Sequence, residues 1–230
     1  MALVIPAWVF VGFMAAQVVA QLLILLLEQL GISFKGIDES TFQTVASAAI
    51  YLLSITIVIG LPWIVKRYRT SKQELGIDQT LTWTDLLLAP AAFVIYILLS
   101  FVLTSLASNL PFYNSDQLQS TGFSGLSQGF EYLLAFTTLV IIAPISEEIL
   151  FRGYLLGKLR KYVPVWVAIL VTSLLFAIVH FQFNVGVDVF ALSILLCVLR
   201  ITTGRLWPSI LLHMIKNGIA FYFLFINPVV

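Results

Sequence analysis

GFEYLLAFTTLVIIAPISEEILFRGYLLG, residues 129–157, is an apolar run of bilayer-crossing length that carries two adjacent carboxylates and an arginine in its second half. Insertion scales place roughly 2.5–3.5 kcal/mol on each Asp, Lys or Arg at the centre of a membrane helix. Taking Glu as similar, Glu147, Glu148 and Arg152 together cost roughly 8–10 kcal/mol before any pairing. Partners, water or both must offset that, so ionisable residues placed this way mark a functional-site candidate.

The rest of the chain is of the same kind. Of its 230 residues, 60% are hydrophobic and 10% charged, and the mean hydropathy is +1.04. Those values belong to membrane proteins and exclude an ordinary soluble domain. Apolar stretches reach or approach spanning length at about 3–27, 44–65, 85–107, 129–157, 164–182, 187–203 and 206–227. The expected fold is an all-α polytopic membrane bundle of about seven transmembrane helices, a single integral membrane domain over 1–230. The first stretch lacks a basic leader and reads as a retained anchor. The single cysteine, Cys197, excludes an internal disulfide and a C-x-x-C metal site. Without a basic patch outside short loops, nucleic acid is not an expected partner.

Basic residues cluster on alternate loops. Lys66, Arg67, Arg69 and Lys72 follow the second stretch, Lys158, Arg160 and Lys161 the fourth, and Arg200 and Arg205 the sixth, against Lys35 on the opposite set. The positive-inside rule makes the first three groups and the N-terminus cytoplasmic. The loop of about 108–128, free of Lys and Arg, is expected outside. Between helices two and three, residues 70–84 read as a short polar connector, with Thr84 the expected cap for a helix beginning near Asp85.

The polar residues of the last four stretches have helical spacing. Glu148 and Arg152, four apart, share a face and can form a charge-assisted hydrogen bond. Glu147 lies about 100° around the helix and is expected to face a cavity. An ion pair that only fixes packing would leave Glu147 without a partner. Pro144 removes a backbone hydrogen bond, kinks the helix and frees a carbonyl. Farther along stand His180, then His213 and Asn217, four apart on one face. A carboxylate held out of bulk water suits general-base work. Imidazole can share its proton or bind a metal, and His with Asn can stabilise an oxyanion. Lys216 points to another face, and Gly218 permits close helix approach.

Three motifs therefore follow one another on apolar helices: Glu147-Glu148-x-x-x-Arg152, Phe176-x-x-x-His180 and His213-x-x-x-Asn217. In this order they resemble the CPBP family, the CAAX-protease and bacteriocin-processing intramembrane proteases also called the Abi family. The resemblance covers about 130–220. It implies a catalytic core over 126–228 behind variable N-terminal helices at 1–125. It further implies an intramembrane endopeptidase in which Glu147 and His180 activate water, His213 and Asn217 hold the oxyanion, and Glu148 and Arg152 support the site. The family is described both as metalloproteases and as metal-independent glutamate proteases. A divalent metal such as zinc, with Glu147, His180 and His213 as candidate ligands, and a metal-free mechanism are thus both open. Expected partners are a peptide or membrane-protein substrate and the lipid bilayer, in a bacterial plasma membrane. The competing readings are a non-proteolytic scaffold or immunity protein of the same fold, and a proton-coupled carrier using the same ionisable residues. One difficulty is geometric: His180 lies roughly 24 Å along a helix begun at Pro164, and His213 only about 12 Å beyond Arg205.

Overall fold

In a computed structural model, residues 1–111, 113, 114, 126 and 129–227 are described. Most of the 108–128 loop, and with it the expectation placed there, lies outside the described residues.

Apolar sequence of this length folds as helix because a bilayer leaves backbone N–H and C=O groups no other partner. The helices are α1 (Val4–Gln29), α2 (Glu39–Val65), α4 (Trp83–Ala107), α5 (Gly129–Leu159), α7 (Phe183–Thr203) and α8 (Trp207–Ile226), six of membrane length. Among the described residues two shorter ones complete the set, α3 (Lys72–Leu75) and α6 (Val165–Ile178). The fold is the expected all-α membrane bundle, with one change of count. The stretch read as a spanning helix over 164–182 is a helix of 14 residues, about 21 Å long, against a hydrocarbon core of about 30 Å. It stops because the chain reverses at 179–182, where Phe181 takes a left-handed φ of 54°. His180 therefore sits in a tight turn between α6 and α7.

Small residues let the helices close on each other. Ala89 and Ala92 of α4 are buried against Ala191, Leu192 and Leu196 of α7 and Leu212 of α8. Gly12 of α1 faces α2 so closely that a Cβ there would fall 2.5 Å from a Val58 methyl. A second core joins Ile5 and Val9 to Leu150, Phe151, Leu155, Phe176 and Val189. Large side chains such as Leu22, Leu87, Leu98, Phe101 and Leu133 point outward, as a lipid-facing surface requires.

The polar connector ties the basic end together. Ser71 and Glu74 cap α3 reciprocally, and Thr82 with Asp85 does the same for α4, so Thr82 rather than Thr84 is the cap. Lys161 pairs with Glu74 at 2.7 Å, and Arg205 with Asp85 at 2.8 Å. Arg200 donates to the Glu74 and Gly204 carbonyls, and Leu206 N–H to Gly76 O at 2.8 Å. Gly76 has φ 77°, and a Cβ would lie 2.5 Å from the Arg200 guanidinium carbon. These links bring three of the basic loops to one end of the bundle.

Candidate active site

Helix α5 is not a uniform α-helix. Its hydrogen bonds widen to the π pattern over Thr137–Ile142 and again over Ile149–Leu156, leaving an α-helical segment Ala143–Glu148 between them. Such π segments recur at functional sites because they re-aim side chains. The cause of the first is readable. Ala143 N–H donates five residues back, to Thr138 O, and the next donor in that register would be Pro144, which has no N–H. Leu139 O, five residues before Pro144, is left open. It is taken by the Asn217 side chain, whose Nδ2 donates to it at 2.9 Å. The carbonyl that proline frees is thus the point where α8 locks onto α5.

Glu147 and Glu148 lie in the α-helical segment and diverge as their phase requires. Glu148 is fully buried, and its Oε1 accepts from Arg152 Nη1 at 2.8 Å and from His213 Nδ1 at 2.9 Å. Arg152, also fully buried, donates through Nη2 to Ser193 Oγ at 2.5 Å and stacks over the Phe176 ring at 4.4 Å. Glu147 retains 8% exposure. Its Oε1 accepts the Tyr51 hydroxyl at 2.9 Å, and its Oε2 stands 3.6 Å from His213 Nε2, too far for a direct hydrogen bond.

Both imidazoles are anchored through Nδ1. A carbonyl and an ionised carboxylate can only accept. His180 Nδ1, 2.7 Å from Phe176 O, therefore carries the proton, and His213 Nδ1 carries one toward Glu148 whenever that carboxyl is ionised. In each ring the Nε2 is left outside these bonds. Phe176 joins them: its ring meets His180 edge to face at a 5.0 Å centroid distance and His213 at 5.8 Å. The α6–α7 turn sets His180 against Phe176, so that one aromatic ring touches both imidazoles despite their different positions along their helices. Among the described residues, three His, Cys, Asp or Glu side chains do not converge on one point as they stand.

Several participants were not singled out by sequence. Tyr51 lies in the N-terminal half, where one tyrosine in an apolar helix carries no signal, yet it holds Glu147. Ser193 is an ordinary small residue until Arg152 reaches it. Asp188 of α7 accepts from Tyr96 at 2.7 Å and Ser100 at 2.5 Å, and Lys216 stands 3.7 Å away. Cys197 is buried, with its sulfur 4.0 Å from Ser173 Oγ.

Comparison with known proteins places the similarity over this same region. Residues 129–219 match the family model described as Type II CAAX prenyl endopeptidase Rce1-like. An uncharacterized 24.3 kDa protein of Escherichia coli is 35% identical over 98 residues, 40% of this chain and 45% of that protein. The membrane-embedded CAAX protease MroQ of Staphylococcus aureus (strain USA300) is 32% identical over 94 residues, 38% of each chain. The UPF0177 protein YxdF of Lactococcus lactis subsp. lactis (strain IL1403) is 39% identical over 70 residues, 30% of this chain and 38% of that protein. The chain thus spans less than half the length of each of these relatives. No solved structure matches it.

Proposed function

We propose, from the match of residues 129–219 to the Rce1-like family model and the likeness to MroQ, that this chain is a member of the CAAX protease family and an intramembrane endopeptidase of a bacterial plasma membrane. The observation that carries the reading is the pairing of Glu147 with His213 across 3.6 Å, inside a buried frame of Glu148, Arg152, Tyr51 and Phe176. The gap is too long for a direct hydrogen bond, so Glu147 Oε2 and His213 Nε2 face each other without being bonded to one another.

In this reading Glu147 takes a proton from water as the water oxygen attacks the scissile carbonyl carbon. The Tyr51 hydroxyl fixes one carboxylate oxygen, so the other faces the reaction. The tetrahedral oxyanion accepts hydrogen bonds, and the C–N bond breaks as Glu147 returns the proton to the leaving amine. His180, held by Phe176 O, is the proposed second acceptor for that proton. His213, in its doubly protonated form, and Asn217 are the proposed oxyanion donors. Asn217 has two amide hydrogens and gives one to Leu139 O, which leaves one to donate. Glu148 and Arg152 hold His213 from behind.

Glu147, His180 and His213 also have the donor chemistry of a divalent-ion site such as zinc. A ligating imidazole typically donates its other N–H to a carbonyl or carboxylate, as both rings do here. A bound ion would supply Lewis acidity and a more acidic water. The protonation of His213 separates the two forms of the chemistry: Nε2 with a proton donates to an oxyanion, and Nε2 without one is a ligand. Chelation followed by metal add-back decides between them. The substrate class is a peptide or membrane-associated protein. A comparison of membrane proteomes with active protein and with Glu147→Ala tests the function. Uncut substrate should accumulate in the variant, and identical proteomes would overturn the reading.

A further inference from the structure

Away from the site, a groove opens at the basic end of the bundle, between the start of α1, the end of α2 and the end of α5. Its volume is about 550 Å3, within the range of roughly 300–1,000 Å3 typical of ligand pockets. Its floor is apolar, from Val4, Ile5, Leu61 and Val65, and its rim carries Tyr68, Tyr154, Tyr162, Lys158 and Lys161. Lys158 is the unusual member. It is 7% exposed, yet makes no ion pair among the described residues. Its ammonium donates to the Tyr68 hydroxyl at 2.9 Å and lies over two tyrosine faces, 4.3 Å from Tyr68 and 4.7 Å from Tyr154. Tyrosine faces accommodate a cation without neutralising it, so a full positive charge lines this groove. Lys161, half-exposed beside it, is shared with Glu74.

We propose that this groove binds one anionic phospholipid, the acyl chain along Val4, Ile5, Leu61 and Val65 and the phosphate against Lys158 and the tyrosine hydroxyls. Charge complementarity selects the occupant. A zwitterionic lipid brings its own cation to a rim that already holds two lysines, whereas an anionic lipid supplies a direct anionic partner to Lys158, since the nearby Glu74 carboxylate is bonded to Lys161. The end of the bundle also fits, because basic pockets between membrane helices on the positive side recognise anionic headgroups. Lys158 follows Glu147 on α5, so an occupied groove would hold the base of the helix that carries the candidate catalytic carboxylate.

The test is thermal unfolding of the full chain in neutral detergent with phosphatidylglycerol, phosphatidylcholine or inorganic phosphate added. Saturating phosphatidylglycerol should raise the Tm by roughly 5 °C, with little change from the other two. Lys158→Gln should abolish the rise. Val65→Trp, at an exposed position in the apolar lining of the groove, should also abolish it without removing a charge, which keeps the test informative if Lys158→Gln fails to fold. Equal responses to the two lipids, a rise from phosphate alone, or a full rise retained in either folded variant would overturn the proposal. The readout is independent of proteolysis.

Discussion

The Asn217–Leu139 bond allows a structural role to be separated from a catalytic one. Asn217→Ala leaves the Leu139 carbonyl without a donor in an apolar interior, because Pro144 cannot supply the backbone N–H that the π register calls for. An unsatisfied buried acceptor costs about 1–3 kcal/mol, and interhelical bonds measured in membranes average about 0.6 and reach about 1.7 kcal/mol. A loss of about 1–2 kcal/mol should lower the Tm by roughly 2–8 °C. Pro144→Ala restores an N–H five residues after Leu139, so in that background the carbonyl has its own donor and Asn217→Ala should cost little. The expected coupling is about 1 kcal/mol, the size found for groups in direct contact. Thermal unfolding of wild type, the two single variants and the double variant in one detergent measures it. If Asn217→Ala costs the same in wild type and in the Pro144→Ala background, the origin assigned to this bond is wrong. Activity is the second axis. If Asn217 also donates to the oxyanion, the double variant regains stability and stays slow.

Glu148→Gln and Arg152→Met should each destabilise the protein by about 3–5 kcal/mol, because each leaves a fully buried charge unpaired; denaturation that matches wild type would contradict the burial described. Gly76→Ala should cost about 2 kcal/mol or more, from a left-handed φ and a Cβ forced against Arg200, with unfolding midpoint as the readout. At the basic end, the Lys161 ammonium holds the Glu74 carboxyl below its ordinary value of 4.5. A lowered carboxyl pKa stabilises the fold above the ordinary value and is lost as pH falls through the lowered one. The Tm advantage of wild type over Lys161→Gln should therefore be present at pH 7 and shrink toward pH 3. An advantage that grows on acidification would reverse the sign.

The candidate site residues announced themselves in sequence because charge is rare in this chain. Against long apolar runs, Glu147, Glu148, Arg152, His180 and His213 stand out, and a spacing of four gave the Glu148–Arg152 pair directly. The helix count was less legible. Hydropathy sums apolar residues and does not see a chain reversal, so the turn at 179–182 was read as the end of a seventh span. The π segments of α5 were hidden for a similar reason, since proline signals a freed carbonyl but not the register in which it is freed. Tyr51, Ser193 and Asp188 were illegible because their importance lies in a partner distant in sequence. The pairing of His213 with Glu148 is of the same kind: residues 65 positions apart leave no periodic trace.

The central claim is that Glu147 moves the proton. The most direct measurement is turnover of a cleavable peptide or membrane substrate by purified, bilayer-reconstituted Glu147→Gln beside wild type, with unfolding followed in parallel. The amide keeps the size and the Tyr51 contact but cannot accept a proton from water. The account predicts a loss of turnover of about 10²–10⁴-fold or more, at a Tm within a few degrees of wild type. A folded Glu147→Gln protein that cleaves at the wild-type rate would contradict it.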